Sequence, residues 1–144
     1  MSIPPLETDQ ASAVYEEASQ IAYIAYHGKL GGEVTRQVYD WLDDLYEAVG
    51  VEAIYGQIFD FRAVTEFLDE NLQTARRVSK LANIKADTSN IPVALLISTF
   101  YHQEILRSTM RIGPEHERKR IVWSHDEAMA FLKLWHTTRT ETAK

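Results

Sequence analysis

The stretch Tyr55-Gly56-Gln57-Ile58-Phe59-Asp60-Phe61-Arg62-Ala63-Val64-Thr65 decides how the rest of the chain is read. It is a short apolar run that breaks off at Asp60 and Arg62. Near-continuous hydrophobicity through Ile54, Tyr55, Ile58, Phe59 and Phe61 predicts a strand from about Ala53 to Phe61. Such a run suits burial on both faces, as in a parallel sheet. A helix-like segment follows, opening with Asp69-Glu70-Asn71. In an α/β protein this is how a central strand hands over to a polar loop, and ligands and partners gather at that carboxyl end.

Working downstream, Leu68, Leu72, Ala75, Ser79 and Ala82 form the inner stripe of a helix from about Leu68 to Asn83. Lys85 to Asn90 reads as a loop, and Ile91-Pro92-Val93-Ala94-Leu95-Leu96-Ile97 as the most hydrophobic strand, with Pro92 tolerated at its start. Ser98-Thr99 can cap a helix from about Phe100 to Ile112, which Gly113-Pro114 would end. Arg118-Lys119-Arg120 leads into a short strand, Ile121-Val122-Trp123. Ser124 to Glu127 is a capping box opening a last helix, whose stripe is Ala128, Phe131, Leu132 and Trp135.

Upstream, Val38, Trp41, Leu42, Leu45 and Val49 lie on one stripe of a helix from Glu33 to Val49, with Gly50 as its stop. Ala13 to Glu17 and Ile21 to His27 read as a hairpin around Ala18-Ser19-Gln20, ended by Gly28-Lys29-Leu30-Gly31-Gly32. The predicted order is ββαβαβαβα. That implies an α/β fold with a mixed, mostly parallel sheet of about five strands, an antiparallel hairpin at its edge and four helices. Residues 13–136 form one domain, flanked by a loose tail over 1–12 and a polar tail over 137–144.

Composition bounds the rest. A chain of 144 residues, 45% apolar, suits a single core. No run of about 18 apolar residues offers a membrane span. The start, Met1-Ser2-Ile3-Pro4-Pro5, lacks the basic and apolar regions of a secretory leader. Cysteine is absent, which excludes thiol catalysis and fits the cytoplasm. The net charge of -6 argues against nucleic acid as a partner. Residues 1–72 hold 14 acidic and 3 basic side chains and residues 73–144 hold 7 and 12. The two halves either interleave and offset each other or present a charged partner-binding face.

With that element order, the chain resembles the STAS superfamily, and within it the SpoIIAA-like (anti-sigma-factor-antagonist-like) domains, over about residues 13 to 135. Ile58-Phe59-Asp60-Phe61-Arg62-Ala63-Val64-Thr65 and the helix from Ser124 to Trp135 carry the resemblance. It also looks like a group of uncharacterised bacterial proteins that share the Asp-Phe-Arg exit. In phospho-switch members a kinase-type anti-sigma partner phosphorylates a serine at the start of the helix after the central strand. Here Asp69-Glu70-Asn71 stand near those positions, Thr65 lies earlier, and there is no Asp-Ser-Ser-Gly. Asp69 and Glu70 either cap the helix, worth about 0.3–1 kcal/mol through its dipole, or hold it in a phosphorylated-like charge state.

The resemblance implies a non-enzymatic, cytoplasmic regulatory domain without a cofactor. It would bind a protein partner through Asp60, Arg62, Thr65, Asp69, Glu70 and Asn71, without phosphorylation of Thr65. Self-association into a homo-oligomer is compatible with it. The alternative is a small-ligand or lipid-binding domain, cued by the Tyr, Phe and Trp near Arg107 and Arg111, with His102, Arg107 and Arg111 as the anion-binding residues.

The remaining candidates for chemistry each have a plainer counterpart. Ser124-His125-Asp126 has the residue types of a hydrolase triad, but neighbours at a helix start do not face one another, and capping accounts for them. His102 could serve Ser98 or Thr99 as a base if the three share a closed pocket; otherwise it is a packing histidine. Glu115-His116-Glu117 lacks a second spaced histidine pair and reads as solvated loop, so no metal site is expected. No phosphate loop, zinc-protease helix or dinucleotide fingerprint occurs. Arg107 and Arg111 share a helix face and, with Arg118, Lys119 and Arg120, make either a basic patch or a solvated surface.

Overall fold

In the computed structural model, which describes residues 3–68, 73, 87–88, 90–110 and 118–142, the chain begins with a strand where the sequence predicts a loose tail. This strand, β1 (Leu6–Glu7), pairs antiparallel with β2 (Ala11–Glu16), Leu6 opposite Ala13. The indole Nε1 of Trp41 donates to the Pro4 carbonyl at 2.9 Å, tying the segment down. A two-residue strand carries almost no periodicity, so only its pairing reveals it.

β2 forms the expected hairpin with β3 (Ile21–Leu30), from Glu16 opposite Ile21 to Ala11 opposite Tyr26. β3 does not end at His27; it continues through Gly28 and Lys29. Helix α1 (Gly32–Val49) buries Val38, Trp41, Leu42 and Leu45, the stripe read from the sequence. The Gly50 N–H donates to the Tyr46 carbonyl at 2.9 Å and closes the helix. A 3-10 turn at Val51–Ala53 stands where the central strand is predicted to begin. That strand, β4 (Gly56–Phe67), starts later and runs on past Phe61. It is followed by β5 (Val93–Leu96), α2 (Phe100–Met110), β6 (Lys119–Val122) and α3 (His125–Thr142), which extends beyond the expected end near His136.

The strands lie in chain order, β1-β2-β3-β4-β5-β6. β3–β4, β4–β5 and β5–β6 pair in parallel, so the mixed, mostly parallel sheet with an antiparallel N-terminal edge is present. It has six strands, not about five, the sixth being β1. Three helices lie among the described residues. The one predicted from about Leu68 to Asn83 falls outside them, apart from Leu68 and Gln73.

Each sheet face has its own apolar layer. Ile24, Phe59 and Leu95 face the α1 stripe and Leu106 of α2. Ile21, Ile58, Ala94, Leu96 and Val122 face Ala128, Phe131 and Leu132 of α3. β4 and β5 contribute to both layers, which is why their sequences are apolar without alternation.

β5 ends at Leu96, opposite Asp60, while β3 and β4 continue together as a two-stranded ribbon. The register slips twice along it. Ala25 faces Asp60 but His27 faces Ala63; Gly28 faces Val64 but Lys29 faces Glu66. Each slip leaves an extra residue on β4, a bulge. Gly28 supplies the positive φ of 77° beside the second slip, a conformation that costs a non-glycine residue. Inward residues therefore recur every third position, Phe61, Val64 and Phe67, while Arg62, Ala63, Thr65 and Glu66 are exposed.

Burial gives the fold an alkaline limit. The Tyr46 hydroxyl accepts from Gln57 Nε2 at 2.7 Å on the α1 side of the sheet. Burial pushes this phenol up to about 12, and raises that of Tyr26 well above its usual value. A folded-state pKa above the unfolded value of 10.0 means that the protonated form is the one the fold favours. The stabilisation is complete below pH 10 and is lost as pH rises toward 12. Tyr46 alone should contribute a loss of about 3 kcal/mol across that window. Denaturant titrations at both ends check this: Tyr46→Phe should flatten part of the slope, and an equal slope in that variant contradicts the assignment.

Candidate functional site

Beyond Asp60 the β4 edge has no neighbouring strand among the described residues and meets the start of α2 instead. Ser98 Oγ donates to the Arg62 carbonyl at 3.2 Å. His102 Nε2 lies 2.8 Å from the Val64 carbonyl. The Phe67 N–H donates to the Tyr101 hydroxyl at 2.7 Å. Three side chains from one helix start thus take the place of a strand, satisfying backbone groups that would otherwise lack partners. The Ser98 N–H donates to His102 Nδ1 at 3.3 Å, so Nδ1 is the acceptor and Nε2 carries the hydrogen given to Val64. The ring is 1% exposed and meets Phe67 edge-on at 6.0 Å. Thr99 Oγ1 accepts the His102 N–H at 3.1 Å and caps the helix, as predicted.

The exposed side of the ribbon is charged. Arg62 forms a two-pronged pair with Asp60, Nε to Oδ1 at 3.1 Å and Nη2 to Oδ2 at 2.9 Å. The Arg62 N–H adds a bond to Oδ1 at 3.0 Å. These hydrogen bonds and the carboxylate charge raise the guanidinium pKa above its usual value. Further along, Glu66 lies 4.0 Å from Lys29 Nζ, and Thr65 is exposed between the two pairs. At the start of α2, Phe100 is 77% exposed and meets Trp123, just after β6, edge-to-face at 5.7 Å.

No family model matches this chain, and no curated protein matches it in sequence. Solved structures do. An uncharacterised protein of the DUF3478 family from Shewanella loihica PV-4, described as having a SpoIIAA-like fold, superposes with a TM-score of 0.64 over 88% of this chain and 98% of its own, at 11% identity. An anti-sigma factor antagonist from Mycobacterium paratuberculosis superposes with a TM-score of 0.59 over 92% and 99%, at 10% identity. The fold is SpoIIAA-like. At such identities the likeness concerns the fold alone.

Within this SpoIIAA-like fold, Asp60, Arg62 and Thr65 share one stretch of β4. Arg62 and Thr65 stand on this strand, not on the loop predicted after Phe61, because pairing with β3 continues past the two bulges. Asp69, Glu70, Asn71 and Arg111 lie outside the described residues, as does Glu115-His116-Glu117. His102 and Arg107 do not form an anion site together: His102 is buried, whereas Arg107 is exposed in the last turn of α2. Nor does His102 act as a base toward Ser98 or Thr99. Ser98 Oγ donates to a backbone carbonyl, and both ring nitrogens are engaged with backbone groups.

The expected basic patch also divides. Arg118 is buried, its Nη1 donating to the Ile91 carbonyl at 2.8 Å and its Nη2 to Thr88 Oγ1 at 3.3 Å. Arg120 is exposed, with its guanidinium 4.7 Å above the Phe131 ring. Ser124 caps α3 by accepting the Glu127 N–H at 3.1 Å, while Glu127 Oε2 accepts from Trp123 N at 3.2 Å, one residue before the usual capping-box partner. Among the described residues no group of three His, Cys, Asp or Glu is placed to hold a metal, and no helix is long and apolar enough to cross a membrane. The aromatic residues near Arg107 are a cue in the sequence, but neither the pairing of Phe100 with Trp123 nor their exposure is. Once His102 is known to be buried the reason is plain: Phe100 is two residues earlier, about 200° away around a helix, so both cannot face the core.

Proposed function

We propose that this chain is a non-enzymatic, STAS-like regulatory domain of the cytoplasm that binds a protein partner through the β3–β4 ribbon and the adjoining start of α2. One observation carries the reading: Arg62, Ala63, Thr65 and Glu66 stand exposed on a ribbon whose other side is locked to the core by Phe61, Val64 and Phe67. A rigid element that presents polar side chains suits recognition, because little order is lost on binding. The shared fold of an anti-sigma factor antagonist adds support. Asp69, Glu70 and Asn71 continue the proposed surface along the chain.

The domain would work without the serine phospho-switch. Thr65 stands on a strand and not at a helix start, and a phosphate there would stand beside Glu66, whose charge opposes it. Affinity purification with the wild-type chain should recover a protein partner, and Arg62→Ala combined with Thr65→Lys should weaken that complex at least about tenfold while leaving the circular dichroism unchanged. Undiminished recovery by the double variant would sink the assignment of the ribbon as the binding surface.

A further inference from the structure

Six large apolar side chains are exposed among the described residues, and they are not scattered. Leu68, Phe100, Tyr101 and Trp123 gather where β4 ends, α2 begins and β6 ends, leaving Val14 and Leu134 elsewhere. Two separate contacts tie parts of it together. Leu68 follows Phe67, whose N–H is held by the Tyr101 hydroxyl, and Phe100 meets Trp123 at 5.7 Å. Exposed aromatic rings held in fixed mutual orientation are the usual anchors of protein interfaces, whereas single exposed apolar residues need no explanation.

The surroundings of the cluster carry a sign. Glu104 is one turn after Phe100 on the same helix face, and both are exposed. Asp126 and Glu127 are exposed in the first turn of α3, with Glu127 bonded to the Trp123 N–H. None of the three is in an ion pair among the described residues. Arg62 is offset by Asp60, and Arg120 lies over Phe131. Arg107 is further along α2, about 10 Å from Phe100 along the axis. Among the described residues the aromatic pair is therefore bordered by carboxylates outside any ion pair.

We propose that the Phe100–Trp123 pair is the anchor point for a basic, amphipathic segment of the protein partner, one that places an apolar side chain against the rings and lysine or arginine over Glu104 and Asp126. The inference rests on the regulatory reading above and specifies the partner's chemistry. Charge complementarity selects this occupant. A second copy of the chain would bring the same carboxylates against themselves, and an anionic membrane surface would be repelled.

A photo-crosslinker tests it in the full chain, expressed in cells that carry the natural protein. Phe100→p-benzoylphenylalanine keeps an aromatic ring at the anchor, and Thr65→p-benzoylphenylalanine reports on the ribbon. The expected result is the same protein joined at both positions, through a segment at position 100 that holds more lysine and arginine than aspartate and glutamate. Glu104→Lys combined with Asp126→Lys should lower the yield at position 100 at least about tenfold. An acidic segment, a second copy of this chain, a lipid adduct or a yield indifferent to the charge reversal would overturn the proposal. A partner joined at Thr65 but not at Phe100 would overturn it while leaving the regulatory reading intact. No protein at either position would count against both.

Discussion

A His102→Leu variant is expected to lose about 3 kcal/mol of stability and to loosen the ribbon before the rest of the sheet. Leucine fits an apolar site of this size, so the loss comes from hydrogen bonding, not from volume. The Val64 carbonyl would lose the 2.8 Å bond from Nε2, and the Ser98 N–H would lose its acceptor. A buried backbone group left without a partner costs about 1–3 kcal/mol, and Val64 is fully inside while Ser98 can still reach water. Urea unfolding would measure the total. Amide exchange should accelerate most between Phe61 and Phe67, and His102→Gln, whose amide can still donate, should recover part of the loss. A change below about 1 kcal/mol would show that α2 does not hold the β4 edge.

The second large effect lies on the opposite sheet face. Leu132 of α3 is fully buried against Ile21, Ile58 and Leu96. Leu132→Ala is expected to cost about 3 kcal/mol by opening a cavity. Its neighbour Gly56 makes a sharper test. A β-carbon at Gly56 would stand 2.6 Å from Leu132 Cδ2 and 2.8 Å from Cδ1, inside van der Waals contact. Gly56→Ala alone should therefore cost about 1–3 kcal/mol through overpacking. In the double variant the new methyl group occupies the space that Leu132 vacates, so the combined loss should fall short of the sum by at least about 1 kcal/mol. Strict additivity in a double-mutant cycle would mean that α3 does not approach β4 this closely.

The site was legible only in part, for reasons visible at single residues. Asp60 and Arg62 announce themselves as the charges that interrupt an apolar run, and the structure does place them side by side. Thr99 and Ser124 sit before helical patterns, where hydroxyls accept N–H bonds, and both do so. Residues 62–67 misled because recognition of a strand relies on alternation, and two bulges replace it with a period of three. Arg118 looked like surface because arginine usually is; its burial depends on the Ile91 carbonyl and Thr88, more than two dozen positions away. His102 had three readings open to it until its ring met the Val64 carbonyl.

From the sequence alone come the types of the described strands and helices from β2 onward, the parallel character of the sheet and the α1 stripe, because each is written in spacings of a few residues and in apolar runs. Two facts depend on tertiary structure. β5 stops at Leu96 while β3 goes on to Leu30, so β4 acquires an edge that, among the described residues, side chains at the start of α2 close. The same geometry turns the reach from Arg62 to Glu66 into an exposed, strand-paired ribbon and leaves Phe100 facing away from the core beside Trp123. Both follow from the relative lengths and register of strands distant in sequence, a quantity that no local pattern encodes.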